Sequence, residues 1–222
     1  MLHLYALVRN PAELPDAFGL DEAPLRAFPV DGEVDAVVSD AGRRRAGAPT
    51  EAEVLAHARV VDAIAAANTA VLPARFAADT SEEDDLRGRL LERRAQLRQA
   101  LERVDGCVEL GLRVLPSERN AERSAPASGR EYMQRRLDEI GRVERLLREL
   151  HEPLAALARE STSNILARPD VLLTAAYLVP RADVERFRTE VDELHRAHGT
   201  VVLVLTGPWP PYSFTLVEGE TS

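Results

Sequence analysis

The chain contains no lysine: all 28 of its basic residues are arginine. That absence removes a P-loop lysine, a Schiff-base lysine and a Ser-x-x-Lys nucleophile pair, and several enzyme classes go with them. There is a single cysteine, Cys107, so no internal disulfide forms. Long apolar runs are missing as well. The longest, around Val201 to Leu205, is strand-sized, far short of the roughly 18 to 20 residues that cross a bilayer, so no membrane insertion is expected. Met1 to Asn10 lacks the basic flank and extended apolar stretch of a signal peptide, and the chain reads as cytoplasmic.

Against the 28 arginines stand 37 carboxylates, a net charge of -9 that excludes a general affinity for nucleic acid phosphate or anionic lipid. With 45% hydrophobic and 29% charged residues the composition is that of a folded protein rather than a disordered one. Its 222 residues suit one large domain or two small ones.

Leu2 to Val8 reads as a strand stopped by Asn10-Pro11. Leu25 to Val30 and Val34 to Ser39 flank Asp31-Gly32, a hairpin signal. After the Gly- and Arg-rich loop Ala41 to Pro49, Thr50 with Glu53 makes a capping box for a helix running to about Asn68. Its small-residue stripe Val54, Ala58, Val61 and Ala65 is expected to face a sheet. Val71 to Phe76 reads as a buried strand. Ser81 opens a second helix, with Glu82 to Asp85 favoured by the dipole of its first turn and Leu86, Leu90, Leu97, Leu101 and Val104 on its apolar face.

Asp105-Gly106 ends that helix. From Cys107 to Leu115, Val108, Leu110, Leu112 and Val114 alternate with Glu109, Gly111 and Arg113, a half-buried strand. Pro116 to Gly129 is a polar surface loop. A long amphipathic helix follows from Arg130, carrying Met133, Leu137, Ile140, Leu147 and Leu154, with Pro153 marking a kink or break. Then come an extended piece at Ser161 to Leu166, a turn at Arg168-Pro169-Asp170, a strand at Val171 to Val179, a helix from Arg181 to His198 and a strand at Thr200 to Thr206. This βαββαβ order is that of a ferredoxin-like unit, an antiparallel sheet under two helices. The expected fold is therefore α+β in two domains. Residues 1–105 form an N-terminal mixed unit, and 106–222 form a C-terminal ferredoxin-like unit with a long helix and a proline/aromatic tail.

Sites of chemistry are sparse. Glu53 and His57 stand at i, i+4, a spacing that permits a carboxylate-oriented base or half a metal site but more often supports a helix surface. His195 and His198 sit near a helix end, where basic residues complement the dipole. Cys107 has no neighbouring His to activate it and reads as a small core residue. Gly106-x4-Gly111 lacks the Lys-Ser/Thr of a phosphate loop. No cofactor and no metal are expected.

Two segments are unusual. In Leu72-Pro73-Ala74-Arg75-Phe76 a proline enters a short apolar strand and an arginine stands beside an aromatic. Gly207-Pro208-Trp209-Pro210-Pro211-Tyr212-Ser213-Phe214 holds the one tryptophan among three prolines. Such a segment is stiff and extended, so it serves either as a strap across a core or as a rigid aromatic contact ridge.

On these two segments the chain resembles the GvpL/GvpF family of gas vesicle proteins, which carries a Leu-Pro-x-Arg-Phe segment after an N-terminal helix and a Gly-Pro-Trp-Pro-Pro-Tyr-Ser-Phe segment near its C-terminus. Leu4 to Val8, Ala36 to Ser39, Glu53 to His57 and Gly106-x-x-Glu109-x-Gly111 also resemble the family pattern. Ala77 departs from the family's more usual glycine, as does the lack of lysine. The resemblance implies a non-enzymatic accessory protein of gas vesicle formation, in the cytoplasm and at the vesicle. Its implied partners are the small hydrophobic shell protein and other accessory proteins, and it implies two domains of the kinds described. Arg75, Phe76, Trp209, Tyr212 and Phe214 are the expected partner contacts. The alternatives are a regulatory protein that binds a small molecule at its ferredoxin-like domain and an enzyme using Glu53, His57 and Arg75.

Overall fold

The computed structural model describes residues 2–40, 49–76, 79–80, 82–117, 128–165 and 171–215. The protein is α+β, with two antiparallel sheets. It divides into two compact units, Met1–Val108 with Trp209–Ser222 and, inserted between them in the chain, Glu109–Pro208.

In the first unit, β1 (Leu2–Arg9) lies at the centre of a sheet. Its neighbours are β3 (Val34–Asp40) on one side and β4 (Val71–Pro73) with the short β5 (Asp79–Thr80) on the other, while β2 (Leu25–Pro29) pairs β3 at the edge. Every residue of β1 but Arg9 is buried, as expected of a central strand covered on both faces. The register slips between Leu4 and Ala6, so Tyr5 is bulged and both Tyr5 and Ala6 enter the same core cluster. The β2–β3 hairpin turns on Asp31, whose carboxylate accepts the N–H groups of Glu33 at 2.8 Å and Val34 at 3.0 Å.

The capping box opens α1 (Glu51–Ala67): Thr50 Oγ1 accepts the Glu53 N–H at 3.3 Å, and the Glu53 carboxylate accepts the Thr50 N–H at 2.7 Å. Its buried face is His57, Val60, Val61, Ile64 and Ala65, whereas Val54, assigned to the sheet-facing stripe by sequence spacing, is 39% exposed. The stripe is rotated because a polar residue, His57, lies inside it.

The single helix expected from Ser81 to Val104 is two, α2 (Glu83–Glu92) and α3 (Arg94–Val104). Arg93 departs from helical geometry at φ -105°, ψ 10°, and its N–H reaches the carbonyls of Leu90 and Leu91. Ser81, the expected start of the helix, lies outside the described residues, as does Ala77.

The second unit has a sheet in the order β7-β8-β6-β9, where β6 is Cys107–Pro116, β7 Glu160–Ile165, β8 Leu173–Pro180 and β9 Val201–Trp209. Numbered within the unit this is 2-3-1-4, the ferredoxin-like arrangement. Two helices pack against it, α4 (Gly129–Leu157) and α5 (Val184–Ala197). Leu110, Leu112 and Val114 of β6 meet Leu147, Leu150 and Leu154 of α4 and Phe187 and Val191 of α5 in one core. α4 runs unbroken through Pro153, which forfeits a donor to the Glu149 carbonyl without ending the helix. Most of the loop after Pro116 and the turn at 168–170 lie outside the described residues.

His151 Nδ1 lies 2.8 Å from the hydroxyl of the fully buried Tyr177. Burial holds the His151 imidazole below its ordinary 6.5, with the Glu152 carboxylate pulling it partly back, and burial raises the Tyr177 phenol. A depressed folded pKa contributes stability that is complete above the unfolded value and lost as pH falls below it. The melting temperature should therefore fall between pH 7.5 and pH 5.5 by more in the wild type than in His151→Gln, which keeps an acceptor but does not titrate (pH limits about one unit either side of 6.5). Equal falls in the two proteins would refute this linkage.

The tail expected with the C-terminal unit belongs instead to the first unit. Tyr212 packs against the cluster of Tyr5, Val61 and Ile64, Phe214 is 2% exposed, and Arg103 of α3 donates from Nη2 to the Phe214 carbonyl. Of the tail's aromatic rings, Tyr212 finds its apolar surface in the first core.

Candidate functional site

The Leu-Pro-x-Arg-Phe segment sits where β4 leaves the sheet. Leu72 and Pro73 are buried, and the Ala74 N–H donates to the Tyr5 carbonyl at 2.8 Å. The Ala74 carbonyl accepts from His57 Nε2 at 3.0 Å. A carbonyl only accepts, so Nε2 carries the proton, and Nδ1 of the neutral ring is left as an acceptor. His3 Nε2 fills that role as donor at 2.8 Å. His3 and His57 are 0% and 3% exposed, enclosed by Tyr5 and by Phe76, whose ring lies 5.4 Å from His3 and 5.5 Å from His57. This chain of contacts fastens α1 to β1 and β4. Arg75 alone in the segment is exposed, and Phe76 is half-buried.

The second segment divides in the same manner. Gly207 adopts φ 109°, a conformation that excludes most side chains. Trp209 closes β9 with 48% of its surface exposed, while Pro210 and Pro211 are buried. The chain then turns through Tyr212–Phe214, with the Phe214 N–H on the Pro211 carbonyl at 3.1 Å and Thr215 Oγ1 on the Tyr212 carbonyl at 3.1 Å. A buried anchor on one side thus fixes an exposed indole.

Both segments adjoin the same first-unit core: Val71, which immediately precedes the first, belongs to it, and Tyr212 of the second packs against it. The family model described as "Gas vesicle synthesis protein GvpL/GvpF" matches residues 1–215.

The chain belongs to the GvpL/GvpF family.

This GvpL/GvpF chain is 33% identical over 222 residues to gas vesicle protein L of Streptomyces sp. (strain CB03234), across 90% of its own length and 77% of that protein. It is 32% identical over 168 residues to gas vesicle protein F2 of Halobacterium salinarum, across 74% of this chain and 69% of that one. Its fold matches the crystal structure of GvpF from Anabaena sp. PCC7120 with a TM-score of 0.82 over 100% of this chain and 98% of that chain, at 19% identity.

In this GvpL/GvpF protein, Glu53 and His57 each engage other groups. The Glu53 carboxylate is taken by Thr50, through both N–H and Oγ1 at 2.7 Å, while His57 turns inward to His3. His195 and His198 are likewise separate: His195 Nδ1 accepts the Leu203 N–H at 3.3 Å, and His198 caps α5. Among the described residues no group of three or more His, Cys, Asp or Glu is placed to hold a metal, and no helix is long and apolar enough to cross a membrane.

A cleft of about 270 Å³ in the first unit is lined by Arg9, Asn10, Val34 and Arg98, among others. Its guanidinium groups are already engaged, Arg9 with Asp105 at 3.3 Å and Arg98 with Asp31 at 2.9 Å. Burial pushes the Asp31 carboxyl up, but the Glu33 and Val34 N–H groups and Arg98 outweigh it and hold the carboxyl below its ordinary value. The arginines there neutralise their own neighbours.

The His3–His57 partnership was missed by sequence reasoning. The signals were faint: a histidine inside an otherwise apolar strand, and another one turn from Val60 and Val61 and two turns from Ile64.

Proposed function

We propose that this protein is an assembly factor or minor structural component of gas vesicles. It binds the small hydrophobic shell protein together with other accessory proteins, holding or nucleating shell subunits before and during assembly. Family membership supports the setting, and one observation carries the contact: Trp209 is 48% exposed on a backbone pinned by buried Pro210, Pro211 and Phe214. A large ring presented without freedom to lose is what an interface anchor requires. Arg75, exposed beside a segment locked by His57, is the second contact. Phe76, Tyr212 and Phe214 act from behind by holding these two in place. The acidic chain keeps such an apolar cargo in solution.

The test is co-purification of the tagged chain with its organism's small shell protein. Trp209→Ala is expected to retain its circular dichroism spectrum and to lose binding by at least about ten-fold. Failure of the wild type to capture shell protein would overturn the reading. Full binding by a folded Trp209→Ala would move the contact away from the tail.

A further inference from the structure

One strip of the first unit exposes apolar side chains that neither unusual segment explains. Residues 11–22 return from β1 alongside α1. Their start is fastened to the C-cap of α1, with Glu13 N–H on Asn68 Oδ1 at 3.0 Å and Asn68 Nδ2 on the Glu13 carbonyl at 2.8 Å. Their end, the turn Leu20–Glu22, packs beside the helix. On these two neighbouring elements Phe18 is 65% exposed, Leu55 50%, Leu14 43% and Val54 39%. Half of the eight large hydrophobics exposed among the described residues fall here.

The charges on these two elements are mainly acidic. Residues 11–22 carry Glu13, Asp16, Asp21 and Glu22 and no basic residue, and α1 carries Glu51, Glu53 and Asp62 against Arg59. Partial desolvation raises the Asp62 carboxyl, a cost that an arriving cation relieves. Apolar side chains with an acidic surround call for an occupant that is apolar at its centre and basic at its flanks. The strip consists of a helix and a non-strand segment, so it offers no ladder for a β-strand to join. A helix, with its backbone hydrogen bonds satisfied internally, is the form that fits.

We infer that the strip of α1 and residues 11–22 is a docking face for an amphipathic helix of a partner protein, one whose apolar face is flanked by arginine or lysine. The inference rests on the assembly role proposed above and adds a second contact to it, distinct from Trp209.

The experiment titrates the full-length protein into a fluorescent Leu–Lys amphipathic peptide of about 18 residues, long enough for a stable amphipathic helix, and follows anisotropy. A Leu–Glu peptide of the same pattern and a Ser–Lys peptide of the same charge serve as controls. The Leu–Lys peptide should bind at least about ten-fold more tightly than either control, and Phe18→Ser/Leu55→Ser should lose at least about ten-fold in its affinity with an unchanged melting temperature. Equal binding of the Leu–Glu peptide, equal binding of the Ser–Lys peptide, or undiminished binding by the double variant would each overturn the inference. Shell protein captured equally by wild type and the double variant would also overturn it while leaving the assembly role intact. Peptide seated on this strip by a protein that captures no shell protein would keep the docking face and overturn the assembly role.

Discussion

His57→Ala is expected to destabilise the first unit by about 3 to 5 kcal/mol. The substitution removes the His57 hydrogen bonds to the half-buried Ala74 carbonyl and to His3 Nε2–H in the interior, and a buried polar group that loses its bond costs roughly 1 to 3 kcal/mol. It also leaves a space beside Tyr5 and Phe76, whose rings stand 5.3 and 5.5 Å from the imidazole. His57→Gln should recover a substantial part of the loss, because its amide supplies one donor and one acceptor. Urea denaturation with tryptophan fluorescence measures the change. A His57→Ala protein within about 1 kcal/mol of wild type would show that the histidine pair does not fasten α1 to the sheet.

Gly19→Ala should cost about 3 kcal/mol or more, a large effect for one added methyl. The backbone is not the reason, since Gly19 adopts φ -76°, open to any residue. The reason is contact: an added Cβ would lie 2.5 Å from the Tyr5 hydroxyl, 2.6 Å from Ser39 Oγ and 2.8 Å from Ser39 Cβ. None can retreat easily. Tyr5 and Ser39 are both 0% exposed. Their hydroxyls are bonded to each other at 3.0 Å, and the Tyr5 oxygen accepts the Leu20 N–H at 2.7 Å. Gly111→Ala is the comparison. There the new Cβ meets only Thr206 Oγ1, at 2.8 Å, an exposed hydroxyl that can rotate away, and the cost should stay below about 1 kcal/mol. Matched urea midpoints for the two variants would contradict this account.

Most elements were legible because their signals are local. The capping box at Thr50, the alternation from Val108 to Val114 and the Asp31 turn all declare themselves within a few residues. What was not legible depends on partners far along the chain. His3 and His57 meet across 54 positions, and a polar residue inside the α1 stripe shifted the expected inward face toward Val54. The division at Arg93 carries neither glycine nor proline to announce it, while Pro153, which does announce a break, lies in a helix that continues. Of the candidate contacts, sequence identified the two segments but not the division of labour within them. Exposure of Trp209 and burial of Phe214 follow from which core receives the tail.

The insertion of Glu109–Pro208 between the two pieces of the first unit reverses the order of completion during synthesis. The β1 sheet and α1 leave the ribosome early, yet Tyr212, which packs against their core, arrives only after about a hundred more residues have been added, roughly 5 to 20 s later. The inserted unit is contiguous, so it can finish while the older one waits with an open apolar slot. The half of the protein that is made first matures last, and a nascent chain stalled within β9 would hold that slot open to whatever hydrophobic segment is nearby.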